Sequence, residues 1–287
     1  MSNVSETTDR LALSLHKAFR TLEVDGFDVR RAIPSKAFEA IGPFIFLDHF
    51  GPIPIRPGAA KSASAHPHAG IETLTLLLEG QVQHKDSLGN DSTMQPGEVQ
   101  WMRAGKGIVH DEAPGANVLR HGGHQHGIQF WINMPMTEKF SEPMYRHVNR
   151  DEIPLLESSN GTVRLVAGQS NGQTGPVGTW GNPFLVHASL PDGGPLALEA
   201  HKPKELALYV MTGAIDIDGS RARSGELVRL SSGENVNLVA TPHTEVVLVG
   251  GDPLDAPIVR QGPFVMNTNA QLEQTVRDYY AGKMGKV

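Results

Sequence analysis

The chain has no cysteine among its 287 residues. That excludes disulfides, zinc–thiolate sites, iron–sulfur clusters and thiol catalysis, so any metal must be held by nitrogen and oxygen. It also lacks any run approaching the roughly 18–20 apolar residues of a membrane-spanning helix. An excess of positive charge is missing too. The formal net charge is −6 and no basic stripe stands out, which leaves no electrostatic footprint for nucleic acid. The first ten residues, MSNVSETTDR, carry neither the basic nor the apolar segment of a signal peptide, so a cytoplasmic location is the default expectation. Aromatics make up only 6%, but 39% hydrophobic residues are ample for a core. The length suits two modest domains or one large one.

The patterning is mostly β. Phe19–Val24 and Phe27–Ile33 flank Asp25-Gly26 and read as a hairpin. Phe44–Phe50, Thr73–Leu78, Val82–Ser87 and Gly97–Met102 continue a series of short strands broken by Gly, Pro and Asn, the mark of a sandwich or barrel. A more polar stretch with Pro135, Pro143 and Pro154 precedes a second β-rich half with strands over His201–Met211, Ala214–Ile217, Glu226–Leu230, Val236–Ala240 and Thr244–Val249. Leu76–Gly80 resembles Leu208–Gly213, and Pro96-Gly97-Glu98 resembles Ser224-Gly225-Glu226, which suggests an internal duplication with a period of about 130 residues. The end reads as a helix, opened by a Thr268…Gln271 capping box and stopped at Gly282.

Thirteen residues are histidine, and seven of them fall between 66 and 126. Ala65–Glu72 reads AHPHAGIE and is answered by His110-Asp111-Glu112. In a strand alternate side chains share a face, so His66 and His68 point together, residues 70 and 72 continue that parity, and His110 and Glu112 share a face in their own segment. Packing gives no reason to pair two imidazoles on an apolar wall, and on protonation they repel unless a cation lies between them. A metal site follows, built on His66, His68 and His110 with either Glu72 or Glu112; spacing admits both. Isolated histidines are ordinarily solvated or hydrogen-bonded, and His16, His49, His84, His147 and His187 fall in that class. His121 and His124 read as solvated loop residues, whereas His126 and Gln129 could line a pocket. In the second half His201 stands alone and His243 lacks a partner carboxylate, so no second metal site is expected.

Several motifs in order, HPHAGIETLTLLLEGQVQHKDSLGN, PGEVQWMRAGKGIVHDE, GIQFWINMP, Gly250–Leu254 and IVRQGPFVMNT, resemble the pirins, two-barrel members of the cupin superfamily, from about Phe27 to Gly285. The resemblance implies an all-β fold of two tandem cupin (jelly-roll) barrels with a short C-terminal helix: a metal-binding cupin over 19–140, a connector over 141–160, and a metal-free cupin with the helix over 161–287. It implies metal ligands His66, His68, His110 and Glu112, moving the choice from Glu72 to Glu112. Glu72 then has a supporting place, bonding a ligand histidine or a strand amide. The implied ion is one divalent transition metal, Fe(II) first, with Mn, Co, Ni, Cu or Zn also suited to such donors. The implied activity is that of a quercetin 2,3-dioxygenase, opening a flavonol ring with O2, with Glu112 taking the substrate hydroxyl proton. The alternative is a non-catalytic, redox-sensing iron protein that regulates a transcription factor or a metabolic enzyme.

Overall fold

The computed structural model describes residues 8–23, 28–58, 65–200 and 202–287. The chain forms two compact units. One comprises Arg20–Pro34, Ile45–Arg150 and Leu254–Val287; the other comprises residues up to Phe19, Ser35–Phe44 and Asp151–Pro253.

The first unit has a seven-stranded sheet in the order Met144–Val148, Val99–Arg103, Ile71–Glu79, Gly123–Asn133, Phe44–Ile55, Asp28–Ile33, Phe19–Leu22. A four-stranded sheet accompanies it, in the order His66–His68, Ile108–Pro114, Val82–Asp86, Asp91–Met94. The second unit repeats the frame. Its seven strands run Ala12–Lys17, Glu226–Leu230, Glu205–Thr212, Thr244–Gly251, Phe184–Leu190, Thr162–Ala167, Leu155–Leu156, and its four run Gly194–Glu199, Asn235–Ala240, Ala214–Ile217, Ser220–Arg223. The duplication suggested by the motifs is therefore a duplication of sheets: two cupin barrels and one short terminal helix. The Asp25-Gly26 turn and His201 lie outside the described residues.

Chain ends do not follow chain order. Ala12–Lys17 pairs antiparallel with Glu226–Leu230 as the edge strand of the second unit. Arg10, 2% exposed, anchors it by donating to the carbonyls of Ala200, Pro203 and Ser231. The connector expected over 141–160 instead holds Met144–Val148, the edge strand of the first unit's large sheet, paired with Val99–Arg103. The terminal helix Asn269–Tyr280, capped by the Thr268 hydroxyl accepting from the Gln271 amide, packs in the first unit: Leu272 and Met284 share a cluster with Ala69, Val109, Phe264 and Met266. Assigning the helix to 161–287 by proximity in sequence missed this, because apolar contact rather than chain order decides where an amphipathic helix docks. No helix among the described residues is long and apolar enough to cross a membrane.

Candidate metal centre

The short strand His66–His68 pairs with Ile108–Pro114 so that His66 stands directly opposite His110. The next strand over, Val82–Asp86, places His84 opposite Glu112. Residues facing one another across a ladder point the same way, so four side chains from three strands converge inside one barrel. The outcome is two overlapping groups, His66/His68/His110 and His84/His110/Glu112, each with its donor atoms within 4.8 Å of one another.

The spacing suits an ion. The Nε2 atoms of His66 and His110 are 3.0 Å apart. Two ligands at right angles around one ion, each about 2.1 Å from it, stand about 3.0 Å apart. His68 lies with its ring centroid 5.0 Å from each of the other two. His110 is 1% exposed, and its Nδ1 is buried with no partner among the described residues. Burial, reinforced by His66, pushes the His68 imidazole down to about 3, against a weak opposing contact from the Pro263 carbonyl at 3.4 Å. Burial, then His68, His66 and His84, holds His110 well below the ordinary histidine range. Neutral imidazoles are the form a metal requires.

Around these donors the barrel is part polar and part aromatic. Gln129 Nε2 donates to Glu112 Oε2 and to Thr75 Oγ1, both at 3.3 Å, and so orients the carboxylate. Trp131 meets His68 edge-on at 5.2 Å between ring centroids and stacks on Phe46 at 4.3 Å. His84 stacks on Tyr145 at 4.1 Å and lies 3.1 Å from the Asp86 carboxylate, which also accepts from Asn90. Burial pushes the Tyr145 phenol up to about 12, so it remains a hydrogen-bond donor or acceptor at neutral pH; its hydroxyl bonds Ser92.

Glu72 belongs elsewhere. It is fully buried and accepts from Trp101 Nε1 at 3.1 Å and Arg103 Nε at 2.9 Å. The parity argument that kept it in play fails at Gly70, whose φ of +71° ends the run between His68 and Ile71. The strands on either side of that turn belong to different sheets, so alternation does not carry across it. A Cβ at residue 70 would lie 1.9 Å from the Val265 carbonyl oxygen, and Lys139, whose ammonium burial draws down to about 7, donates to the Gly70 carbonyl at 2.7 Å. The turn that aims His68 is thus fixed from two sides.

The other histidines divide. His84, read from sequence as an isolated residue, is 1% exposed and joins the centre. Its signal was register, visible only once Val82–Asp86 is laid against Ile108–Pro114. His126 turns away from the pocket; its Nε2 lies 2.7 Å from His49 Nε2. His121 ends a short helix, and His124 is an exposed strand residue 3.2 Å from Glu79. His147 pairs with Glu98, and His187 with Glu245. Pro263, Gln100 and Tyr145 had no motif to announce them.

Comparison with known proteins accords with this arrangement. The Pirin family model matches residues 26–132, and that of the Pirin C-terminal cupin domain matches residues 185–285. A pirin-like protein of Caulobacter vibrioides is 36% identical over 92% of each chain. A Pseudomonas aeruginosa protein provisionally named a quercetin 2,3-dioxygenase is 34% identical over 96% of this chain and 98% of its own. The crystal structure of a quercetin 2,3-dioxygenase from Acinetobacter baumannii superposes with a TM-score of 0.90 at 29% identity, covering 97% of this chain and 99% of that one.

Proposed function

This chain belongs to the pirin family, and from that premise we propose that it is a metal-dependent dioxygenase that opens the ring of a flavonol-like substrate with O2. The observation that carries the reading is the convergence of His66, His68 and His110 in one buried pocket, with Glu112 sharing His110 in the same donor cluster. The names of two relatives support the substrate class. We assign His66, His68, His110 and Glu112 as the residues that hold one divalent transition-metal ion, Fe(II) by choice among ions that accept nitrogen and oxygen donors. Such an ion supplies Lewis acidity and open positions for two neighbouring substrate oxygens.

The chain's own residues do the rest. Glu112 accepts the proton of the substrate hydroxyl. Its Oε2 is held by Gln129, which fixes the carboxylate's orientation as a general base requires. Trp131 and Phe46 present stacked aromatic surface beside His68, a wall suited to a flat ring and to excluding water. In the overall reaction both atoms of O2 enter products and one ring carbon leaves as CO.

The test is turnover. Iron-loaded protein incubated with quercetin in air is expected to bleach the flavonol band and release CO. Absence of both with Fe, Mn, Co, Ni and Cu contradicts the reading.

A further inference from the structure

We propose that Gln100 recognises a hydroxyl group on the substrate, at the end of the pocket remote from the metal centre; the inference rests on the flavonol reading above. Across the large sheet of the first unit, Gln100 stands opposite His147 on one side and Thr75 on the other, and Thr75 stands opposite Gln129. These four side chains form one row on the face that holds Glu112, with Gln129 reaching the carboxylate. Trp101 and Glu72 mark the other face of the same strands.

Three members of the row are paired. His147 bonds Glu98, and Gln129 bonds both Thr75 and Glu112. Gln100 is the exception. It is 4% exposed, and neither its amide nitrogen nor its amide oxygen has a hydrogen-bond partner among the described residues. Its one polar neighbour of note, the Tyr145 phenol, is bonded to Ser92. A buried amide without partners is costly, and native folds keep such groups where something else satisfies them.

The chemistry and the distance name the class of ligand. A primary amide offers both a donor and an acceptor, and a phenolic hydroxyl is its complement. Gln100 and Gln129 are two strands apart, about 10 Å by strand spacing. A fused-ring phenol chelated at one edge in the centre reaches a hydroxyl of its remote ring across that span.

The test uses zinc-loaded protein, so that binding is read without turnover, titrated calorimetrically with quercetin and with two analogues lacking the hydroxyls of one or the other outer ring. Gln100→Leu is expected to weaken quercetin on the order of tenfold, to leave one deoxygenated analogue unaffected, and to keep metal content and melting temperature at or above wild type. A merely structural Gln100 predicts a lower melting temperature instead. Unchanged quercetin affinity, an equal loss across all three ligands, or no quercetin binding by wild type overturns the assignment. Selective binding without turnover in the iron-loaded protein sinks the dioxygenase reading and leaves the Gln100 assignment standing.

Discussion

Gln100, Thr75 and Gln129 face one another across three neighbouring strands of the first barrel; at the matching place in the second, Val228, Leu208 and Leu248 do so. In the small sheets, His66 opposite His110 has as its counterparts Leu198 opposite Val236 and Leu196 opposite Leu238. All five of those apolar residues sit in one cluster with Ile215, Ile217 and Val186. One frame is thus built twice, with a hydrogen-bonding interior in one copy and an aliphatic interior in the other. Backbone pairing tolerates either lining, because the ladder is made by main-chain groups while the side chains decide what fills the space. The aliphatic copy gains burial; the polar copy gives up some of that gain and keeps donors for a ligand.

This contrast can be broken at its chemical end first. Glu112→Gln keeps the shape of the side chain and removes its charge, so turnover of quercetin is expected to fall by about 10²- to 10⁴-fold, with weaker metal retention. Stopped-flow or steady-state kinetics on metal-analysed protein checks it, and turnover equal to wild type with an intact metal site refutes the role. Next in size is Val228→Gln, which puts the amide of the first barrel into the lining of the second. With no ligand and no polar row to meet it, the variant is expected to lose about 2–4 kcal/mol, seen as a lowered denaturation midpoint. A neutral result would mean that the second interior is less dry than its composition implies.

The smallest effect concerns two buried histidines. His49 lies beside His126 and Arg30, and burial first, then those two groups, pushes its imidazole down to about 2. The unfolded chain takes up that proton near pH 6.5 and the folded one does not, so stability is full above pH 6.5 and declines as pH falls toward 2. His187 of the second barrel has a carboxylate partner, Glu245, at 2.6 Å. Replacing His49 by Leu is therefore expected to flatten the drop in melting temperature between pH 7 and pH 5, by an amount on the order of 1 kcal/mol in stability. An unchanged slope would contradict the burial argument.

Much of this was legible in the residues. The strand series, the duplicated halves and the His66/His68/His110/Glu112 set all rest on local pattern, and local pattern is what a sequence displays. The Glu72 ambiguity persisted because alternation was carried through Gly70, whose positive φ ends it. His84, Gln100 and Tyr145 were hidden for another reason: each owes its place to register across a ladder, which the sequence of one strand does not encode. The docking of the terminal helix on the first unit, and the pairing of Ala12–Lys17 with Glu226–Leu230, are contacts between distant segments with no motif of their own.

The claim that one barrel carries the chemistry is tested most directly by counting metal. Elemental analysis of the purified protein is predicted to give one divalent transition-metal ion per chain, and essentially none in a His66→Ala/His110→Ala variant that melts cooperatively. An ion retained by that variant, or two ions in the wild type, would contradict the account.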